Sequence, residues 1–136
     1  MKLSNSSQYA IRILTYMTTQ NESLINATAL SQKLQIPYKY LTKIMTALVK
    51  ADLVKSIRGR DGGFRLKKKS TDIKIDDILN IFHDTVKKED CLLGIGKCDT
   101  YCKCALHDQW MKPKLLLQKI FRESNLEDIS KNATKI

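Results

Sequence analysis

The spacing of apolar residues over the first fifty positions predicts three helices. Within residues 8–19, apolar side chains recur at every third or fourth position, which is the helical period. After a polar turn at 21–23, two leucines four residues apart continue this period in a short second helix. Pro37 ends that helix and opens a third over residues 37–51, because proline disfavours helix in the residue before it but is tolerated in a first helical turn.

The predicted third helix has two different faces. Its inner face is apolar and consists of Leu41, Ile44, Leu48 and Val49. Its outer face carries hydroxyl and amine groups, on Tyr38, Lys39, Thr42, Lys43, Thr46 and Lys50. Two short helices joined by a tight turn, the second with such a face, are typical of a helix-turn-helix, whose second helix enters the major groove of DNA. The alternative is an ordinary helical hairpin with a solvated charged face.

The segment after the third helix predicts a β-hairpin. Residues 53–58 alternate as a strand, residues 59–63 contain three glycines, and residues 64–67 return as a second strand. Arg58, Arg60 and Arg65 are expected to cluster at its tip. Because a narrow minor groove has an enhanced negative potential that attracts arginine, a basic hairpin in this position is predicted to be a DNA-binding wing.

The remainder of the chain is predicted to hold a connecting helix, a loop and a long helix. The connecting helix covers residues 72–82. Apolar residues at spacings of four and seven predict a long helix with one apolar seam suited to a second copy; they are Leu106, Trp110, Leu117 and Phe121. Pro113 predicts a kink or a late start of this helix, and the polar tail after Glu127 is expected to be frayed.

The predicted fold class is therefore mostly α: a winged helix-turn-helix with a two-stranded β wing and a long C-terminal dimerisation helix. Residues 1–70 would form the DNA-binding domain. Residues 71–136 would form the connecting helix, a Cys-rich cluster-binding loop at 91–107 and the dimerisation helix.

Charge is distributed unevenly between these two parts. Residues 1–70 carry thirteen basic and three acidic side chains, whereas residues 71–136 carry eleven of each, so the whole net charge of +10 lies in the first part. Such an asymmetry indicates a surface that meets a polyanion. Nucleic acid and an anionic membrane are the two candidates, and the groove-reading elements favour DNA, since a membrane-binding helix needs a wide free apolar face.

Composition narrows the functional class further. The sequence contains two histidines, no nucleophile motif and no phosphate-binding glycine loop, so we expect no enzyme. No apolar run is long enough to cross a membrane. The first eight residues lack the apolar region of a secretory signal, and we therefore expect a cytoplasmic protein.

All four cysteines, namely Cys91, Cys98, Cys102 and Cys104, lie within fourteen residues, and His107 follows closely. In a cytosolic protein such a group indicates metal or redox chemistry rather than structural disulfides. An iron–sulfur cluster is favoured by the wide gaps, and histidine can replace some of its thiolate ligands. Zinc, which usually takes paired Cys-x-x-Cys knuckles, and a thiol switch remain open. From a different class, a small iron–sulfur electron carrier is the alternative, although electron transfer requires no wing.

Several motifs together resemble the Rrf family of bacterial transcription regulators. The resemblance extends to about residue 125 and rests on Met1-Lys2-Leu3-Ser4, Gln8-Tyr9-Ala10, Tyr40-Leu41, Leu53-Val54-Lys55-Ser56-Ile57-Arg58-Gly59 and Gly62-Gly63-Phe64. It implies a homodimeric winged-helix regulator of double-stranded promoter DNA. Family members include regulators of iron–sulfur supply, nitric oxide response, iron and cysteine metabolism.

The resemblance also implies a ligand set. Cluster-binding members carry three cysteines in this loop, which Cys91, Cys98 and Cys104 match. His107 matches the fourth ligand of the members that resemble IscR. This implies a [2Fe–2S] rather than a [4Fe–4S] cluster. Cys102 has no counterpart in that pattern and is a rival ligand because of its spacing from Cys104.

The same resemblance concerns the DNA-binding residues. Arg58 matches the wing arginine that enters the minor groove. Thr42 stands where IscR-like members have a glutamate that discriminates bases, so a different base preference is implied. Arg60 and Asp61 replace the usual proline and glycine of the wing tip. The DNA-binding residues expected overall are Tyr38, Lys39, Thr42, Lys43, Arg58, Arg60 and Arg65.

Overall fold

The computed structural model describes residues 2–21 and 23–136. Met1, and Glu22 of the predicted polar turn, lie outside the described residues. Six α-helices and one antiparallel two-stranded sheet are present in the described part, in the order α1 (Asn5–Thr19), α2 (Ala27–Leu34), α3 (Tyr38–Lys50), β1 (Val54–Ile57), β2 (Gly63–Leu66), α4 (Ile75–Ile81), α5 (His107–Glu123) and α6 (Leu126–Asn132). The predicted fold class is confirmed. Helix α1 begins three residues earlier than predicted, because the Ser4 side chain accepts a hydrogen bond from the Ser7 amide.

A tight turn joins α2 to α3. The Asn26 side chain caps α2 by accepting a hydrogen bond from a first-turn amide at 2.8 Å. Helix α2 ends where Gln35 adopts a left-handed backbone conformation with φ of 54°. The Ser31 hydroxyl then donates to the Ile36 carbonyl at 2.7 Å, and Pro37 occupies the N-cap position of α3. These contacts set α2 against α3 in the predicted helix-turn-helix.

One apolar core holds the fold together. It combines one face of each helix from α1 to α4 with the first residue of α6, and its fully buried members include Ala10, Ile13, Leu14, Leu30, Ile36, Leu41, Ile44, Met45, Leu48, Ile73, Ile78, Leu79 and Leu126. The predicted inner face of α3 is correct except at one position. Met45 is buried in place of Val49, which is only partly covered.

The predicted wing is present as the hairpin of β1 and β2. Gly62 is required in its turn, because a Cβ there would lie 2.0 Å from the carbonyl oxygen of Ile57. Near the turn, on the second strand, Phe64 exchanges two backbone hydrogen bonds of 2.8 and 3.0 Å with Ile25. The wing is thereby attached to the segment that precedes α2.

Two of the three arginines expected at the tip of the wing lie there. Arg58 and Arg60 are exposed in the turn between β1 and β2. The prediction for Arg65 was wrong, because the strand register places it inside β2, directly opposite Lys55. Side chains that face each other across a strand pair share one face of the sheet. Arg65 therefore adds to the basic surface on the side of the hairpin, and it does not lie at the tip.

The C-terminal segment is ordered into α6, which corrects the expectation of a frayed tail. Asn125 caps this helix by accepting a hydrogen bond from the Asp128 amide at 2.9 Å. Leu126 is fully buried, and its amide donates to the Ile73 carbonyl at 3.0 Å. Helix α6 packs against α1. A short run with two apolar residues three apart, Leu126 and Ile129, was therefore sufficient to complete the core.

Helix α5 is continuous from His107 through Pro113, so the late start that the proline predicted was wrong. The residues of the predicted apolar seam are only partly covered within the chain: Trp110, Leu117 and Phe121 are half-buried, and Leu106 is exposed. The neighbouring Leu116 and Ile120 are 59% and 46% exposed. The fully buried positions of this helix are polar, namely His107, Lys114 and Gln118. No helix in residues 2–21 and 23–136 combines the length and the hydrophobicity needed to span a bilayer.

Candidate functional site

The polar side chains predicted for the outer face of α3 lie at the surface of the protein. Tyr38, Lys39 and Lys43 are exposed, and Thr42 is half-exposed. The Thr42 hydroxyl donates to the Lys39 carbonyl, and the Thr46 hydroxyl donates to the Thr42 carbonyl, both at 2.9 Å. Since each hydroxyl proton is used within the helix, the oxygen lone pairs remain available to accept hydrogen bonds from outside.

A groove runs between α3 and the wing. Its walls are formed by Thr42, Met45, Thr46, Val49, Ser56, Arg58 and Phe64. The groove brings Arg58 of the wing next to Thr42 of the helix, two predicted DNA-binding residues that lie far apart in sequence. The surface formed by α3 and the wing turn is thus continuous.

Arg65 lies on a different part of the wing. It lines a second depression together with Lys55, Lys67 and Asp52. Asp52 and Lys67 form an exposed ion pair of 2.8 Å. The hydrogen bond from Lys67, and then its charge, lower the pKa of Asp52. Arg65 and Lys55 are outside this pair, so both cations remain available on the flank of the hairpin.

A set of contacts from α1 fixes the amino-terminal end of α3, and the sequence analysis did not find it. The rings of Tyr9 and Tyr40 meet edge to face at 5.4 Å, and the Tyr40 hydroxyl lies 3.2 Å from the Ser6 hydroxyl. The Arg12 guanidinium lies 5.8 Å from the centre of the Tyr9 ring and donates to the Leu34 carbonyl at 2.6 Å. Gln8-Tyr9-Ala10 and Tyr40 belong to the motifs that resemble the Rrf family. That resemblance was the only indication in the sequence that these residues position α3.

The four predicted cluster ligands are brought together as two pairs. The Cys98 sulfur lies 3.3 Å from Nδ1 of His107, which is buried at the start of α5. Cys104 lies close enough to Cys91 to contribute to the lowered pKa of the Cys91 thiol. All four cysteines are free thiols. Within the described residues, no three Cys, His, Asp or Glu side chains converge on a single metal position.

Cys91 lies in a concave arrangement of backbone amides. The amides of Ile95 and Leu93 hydrogen-bond to its sulfur and lower the pKa of the thiol, with smaller contributions from Cys104 and from the amide of Gly94. Gly94 adopts a positive φ of 68°, a conformation that favours glycine and lets the loop fold back over the sulfur. Cys91 is therefore the cysteine best prepared to act as a thiolate.

Cys102, the rival ligand, is placed differently from the other three. It is exposed, and its amide donates to a carboxylate oxygen of Asp99 at 2.6 Å. The amides of Cys102 and Tyr101 lower the pKa of that Asp99 carboxyl. The short turn thus formed leaves the Cys102 side chain outside both ligand pairs.

The buried polar face of α5 holds the loop and was not predicted. The Lys114 ammonium donates to the carbonyls of Lys88 and Asp90 at 2.5 and 3.0 Å. The Gln118 amide donates to the Val86 carbonyl at 2.8 Å. The spacing of His107, Lys114 and Gln118 is helical, but a lysine on an amphipathic helix is ordinarily assigned to solvent.

The family model for Rrf2, described as an iron-dependent transcriptional regulator, matches residues 3–132. This chain belongs to the Rrf2 family. An HTH-type transcriptional regulator of Aquifex aeolicus (strain VF5) is 32% identical to this Rrf2 protein over 131 residues, 95% of this chain and 91% of the relative. The HTH-type transcriptional regulator NsrR of Oceanobacillus iheyensis is 28% identical over 138 residues, covering 100% of this chain and 94% of the relative.

Solved structures agree on the fold of this Rrf2 protein. The structure of CymR, the global cysteine regulator of B. subtilis, superposes with a TM-score of 0.82 and 22% identity, covering 98% of each chain. The family relationship confirms that the chain is a DNA-binding transcription regulator and not an enzyme.

Proposed function

We propose that this Rrf2 protein is a cytoplasmic homodimer that regulates transcription from promoter DNA and senses redox, nitric oxide or iron–sulfur status through an iron–sulfur cluster. Residues 1–70 would bind DNA, residues 91–107 would hold the cluster, and α5 would join the two copies. The signal would alter the loop and α5 and thereby change the population of dimers that fit their DNA site.

The continuous surface of α3 and the wing supports the DNA-binding part of this proposal. Tyr38, Lys39, Thr42 and Lys43 present groups suited to the edges of bases and to phosphates in the major groove. Arg58 and Arg60 would enter the adjacent minor groove. Arg65 would contact phosphates beside the tip, since it lies along the hairpin and not at its end.

The pairing of the loop ligands supports the cluster. Each iron of a [2Fe–2S] cluster takes two protein ligands, and the chain offers Cys91 with Cys104 and Cys98 with His107. Soft thiolates and an imidazole are the ligands that iron–sulfur clusters accept. The cluster would supply a centre that oxidants and nitric oxide modify. The residues of this chain would bind it and pass its occupancy to α5 through His107, which forms the first turn of that helix.

The exposed apolar residues of α5 support the homodimer. Leu115, Leu116 and Ile120 are between 46% and 59% exposed. Large apolar side chains grouped on one helix surface are typical of an interface between subunits. A second copy of α5 would cover them.

Anaerobic reconstitution of single alanine variants tests the ligand set. We expect Cys91→Ala, Cys98→Ala, Cys104→Ala and His107→Ala to lose iron and sulfide, measured chemically and by electron paramagnetic resonance after reduction. Cys102→Ala is the matched control and should retain both. Trp110, the only tryptophan, lines a depression with Cys91, so its fluorescence should be quenched when the cluster binds.

Two outcomes would overturn this assignment. Loss of the cluster in Cys102→Ala together with retention in His107→Ala would establish an all-cysteine site. Failure of the parent protein to take up iron would instead favour the second candidate, a thiol switch. The observation that favours that candidate is the proximity of two free thiols, Cys91 and Cys104, the first of which has a lowered pKa. A gel-shift titration with the promoter of its own gene, using metal-free and reconstituted protein, tests the DNA-binding part separately.

A further inference from the structure

Helix α5 carries a buried ammonium group that the proposed function does not use. Lys114 is 0% exposed, although lysine is rarely buried without a charged partner. None of the ion pairs in the described residues includes it, and its hydrogen-bond acceptors are the backbone carbonyls of Lys88 and Asp90. Because burying an ammonium group costs free energy, we expect its two hydrogen bonds to stabilise the segment that contains Lys88 and Asp90.

The contacted segment leads directly into the cysteine loop. Lys88 and Asp90 flank Glu89, whose carbonyl accepts a hydrogen bond from the Cys98 amide at 2.7 Å. Asp90 is followed immediately by Cys91 and forms an isolated antiparallel bridge with Lys97. Three consecutive carbonyls therefore connect α5 on one side with Cys98 on the other.

The same face of α5 contacts Cys98 directly. His107 and Lys114 are seven residues apart, which places them on one face of the helix two turns apart. Cys98 contacts His107 at 3.3 Å and the Met111 sulfur, one turn further along, at 3.9 Å. One member of each ligand pair, Cys98 and Cys91, is therefore located by this face, Cys98 directly and Cys91 through Asp90.

We propose that Lys114 is a positioning residue for the cysteine loop, whose buried ammonium clamps the carbonyls of Lys88 and Asp90 and so holds Cys91 and Cys98 in place before any metal is bound. The ligand role of the two cysteines rests on the proposed function, whereas the clamp itself is a property of the metal-free protein. The donors of the ammonium carry the effect, and the apolar stem of the side chain does not.

Three variants separate these possibilities. Lys114→Met keeps the length of the stem and removes every donor. Lys114→Arg keeps the charge and the donors. Lys112→Met is the matched control, because Lys112 is exposed on the same helix. If Lys114→Met does not fold, Lys114→Leu, which also lacks any donor, takes its place in the same comparison.

The first measurement is amide hydrogen exchange by NMR in the metal-free protein. We expect Lys114→Met to accelerate exchange of the Cys98 amide by roughly tenfold or more, since loss of the clamp leaves two carbonyls without a donor and frees the segment between them. The Leu126 amide, which is bonded to Ile73 in the core, should be unchanged and reports on global folding. Lys114→Arg and Lys112→Met should resemble the parent. Unchanged protection of the Cys98 amide in Lys114→Met would overturn the proposal, as would a loss of equal size in Lys114→Arg.

The second measurement is iron and sulfide uptake on anaerobic reconstitution. We expect Lys114→Met to take up less than the parent, and Lys114→Arg to restore uptake. Equal uptake by Lys114→Met and the parent would contradict the positioning role. If the parent takes up no iron while exchange in Lys114→Met is still accelerated, the clamp stands and the cluster proposal fails.

Discussion

Binding of DNA by this protein should depend steeply on salt, and Lys43→Ala should reduce that dependence by a predictable amount. Lys43 is exposed on the outer face of α3, and its side chain forms no ion pair in the described residues. Its replacement by alanine, a good helix former, should leave α3 intact. The expected change is therefore confined to the electrostatic part of binding.

The magnitude follows from the cations on the surface formed by α3 and the wing turn. Four of the exposed cations there are expected DNA-binding residues in each copy, namely Lys39, Lys43, Arg58 and Arg60. A homodimer would present roughly eight, which gives a slope of log affinity against log salt near −7. Removing Lys43 from both copies leaves about six and a slope near −5. Between 50 and 200 mM salt the parent should then lose about 10⁴-fold in affinity, and the variant about 10³-fold.

Fluorescence anisotropy titrations with labelled promoter DNA at several salt concentrations measure both slopes. Lys135→Ala is the control, since Lys135 is exposed near the C-terminus and outside this surface. A parent slope near zero would refute the DNA-binding surface altogether. A Lys43→Ala slope equal to that of the parent would show that this ammonium does not contact a phosphate.

Two substitutions and one chemical-modification measurement test other parts of the structure. Arg58→Ala should cost about 1–3 kcal/mol of binding free energy, with a larger loss on sites flanked by narrow A·T-rich minor grooves; an equal loss on all sequences, by anisotropy, would reduce Arg58 to a phosphate contact. Leu126→Ala should lower the free energy of unfolding by about 2–5 kcal/mol in urea titrations, because Leu126 is fully buried, and a loss within experimental error would remove α6 from the core. The pKa of Cys91 is lowered in the folded protein, so half-maximal alkylation by iodoacetamide should occur at a lower pH than in urea, as read by mass spectrometry. The stability that this shift contributes is present above the pKa of the unfolded state and is lost as the pH falls through the pKa of the folded state. Identical alkylation profiles in the folded protein and in urea would contradict the lowered pKa of Cys91.

The helix-turn-helix and the wing could be predicted because their determinants are local. Pro37 separates two helices by its own backbone constraints, and Gly62 is demanded by the turn in which it lies. The placement of Arg65 was wrong because it depends on strand register, which a spacing of residues does not determine.

The polar face of α5 could not be predicted for a different reason. Lys114 and Gln118 donate to backbone carbonyls, and a carbonyl acceptor leaves no mark in a sequence because every residue has one. A lysine that is solvated and a lysine that clamps a loop therefore look the same. The clustering of the four cysteines is visible in the sequence. The pairing of Cys98 with His107 could not be predicted, because it depends on α5 beginning at His107.

The packing of α6 on α1 has a consequence for the protein while it is being synthesised. More than a hundred residues separate these two helices, and the strip from Ser124 to Leu126 bonds to the backbone at Ile73 and Ile75. A chain on the ribosome lacks these contacts until nearly all of it has emerged, and long-range contacts form late in folding. The apolar core that holds α1 is thus completed only after the four cysteines have been translated, so no nascent chain reaches its full stability before its cysteine loop has been synthesised.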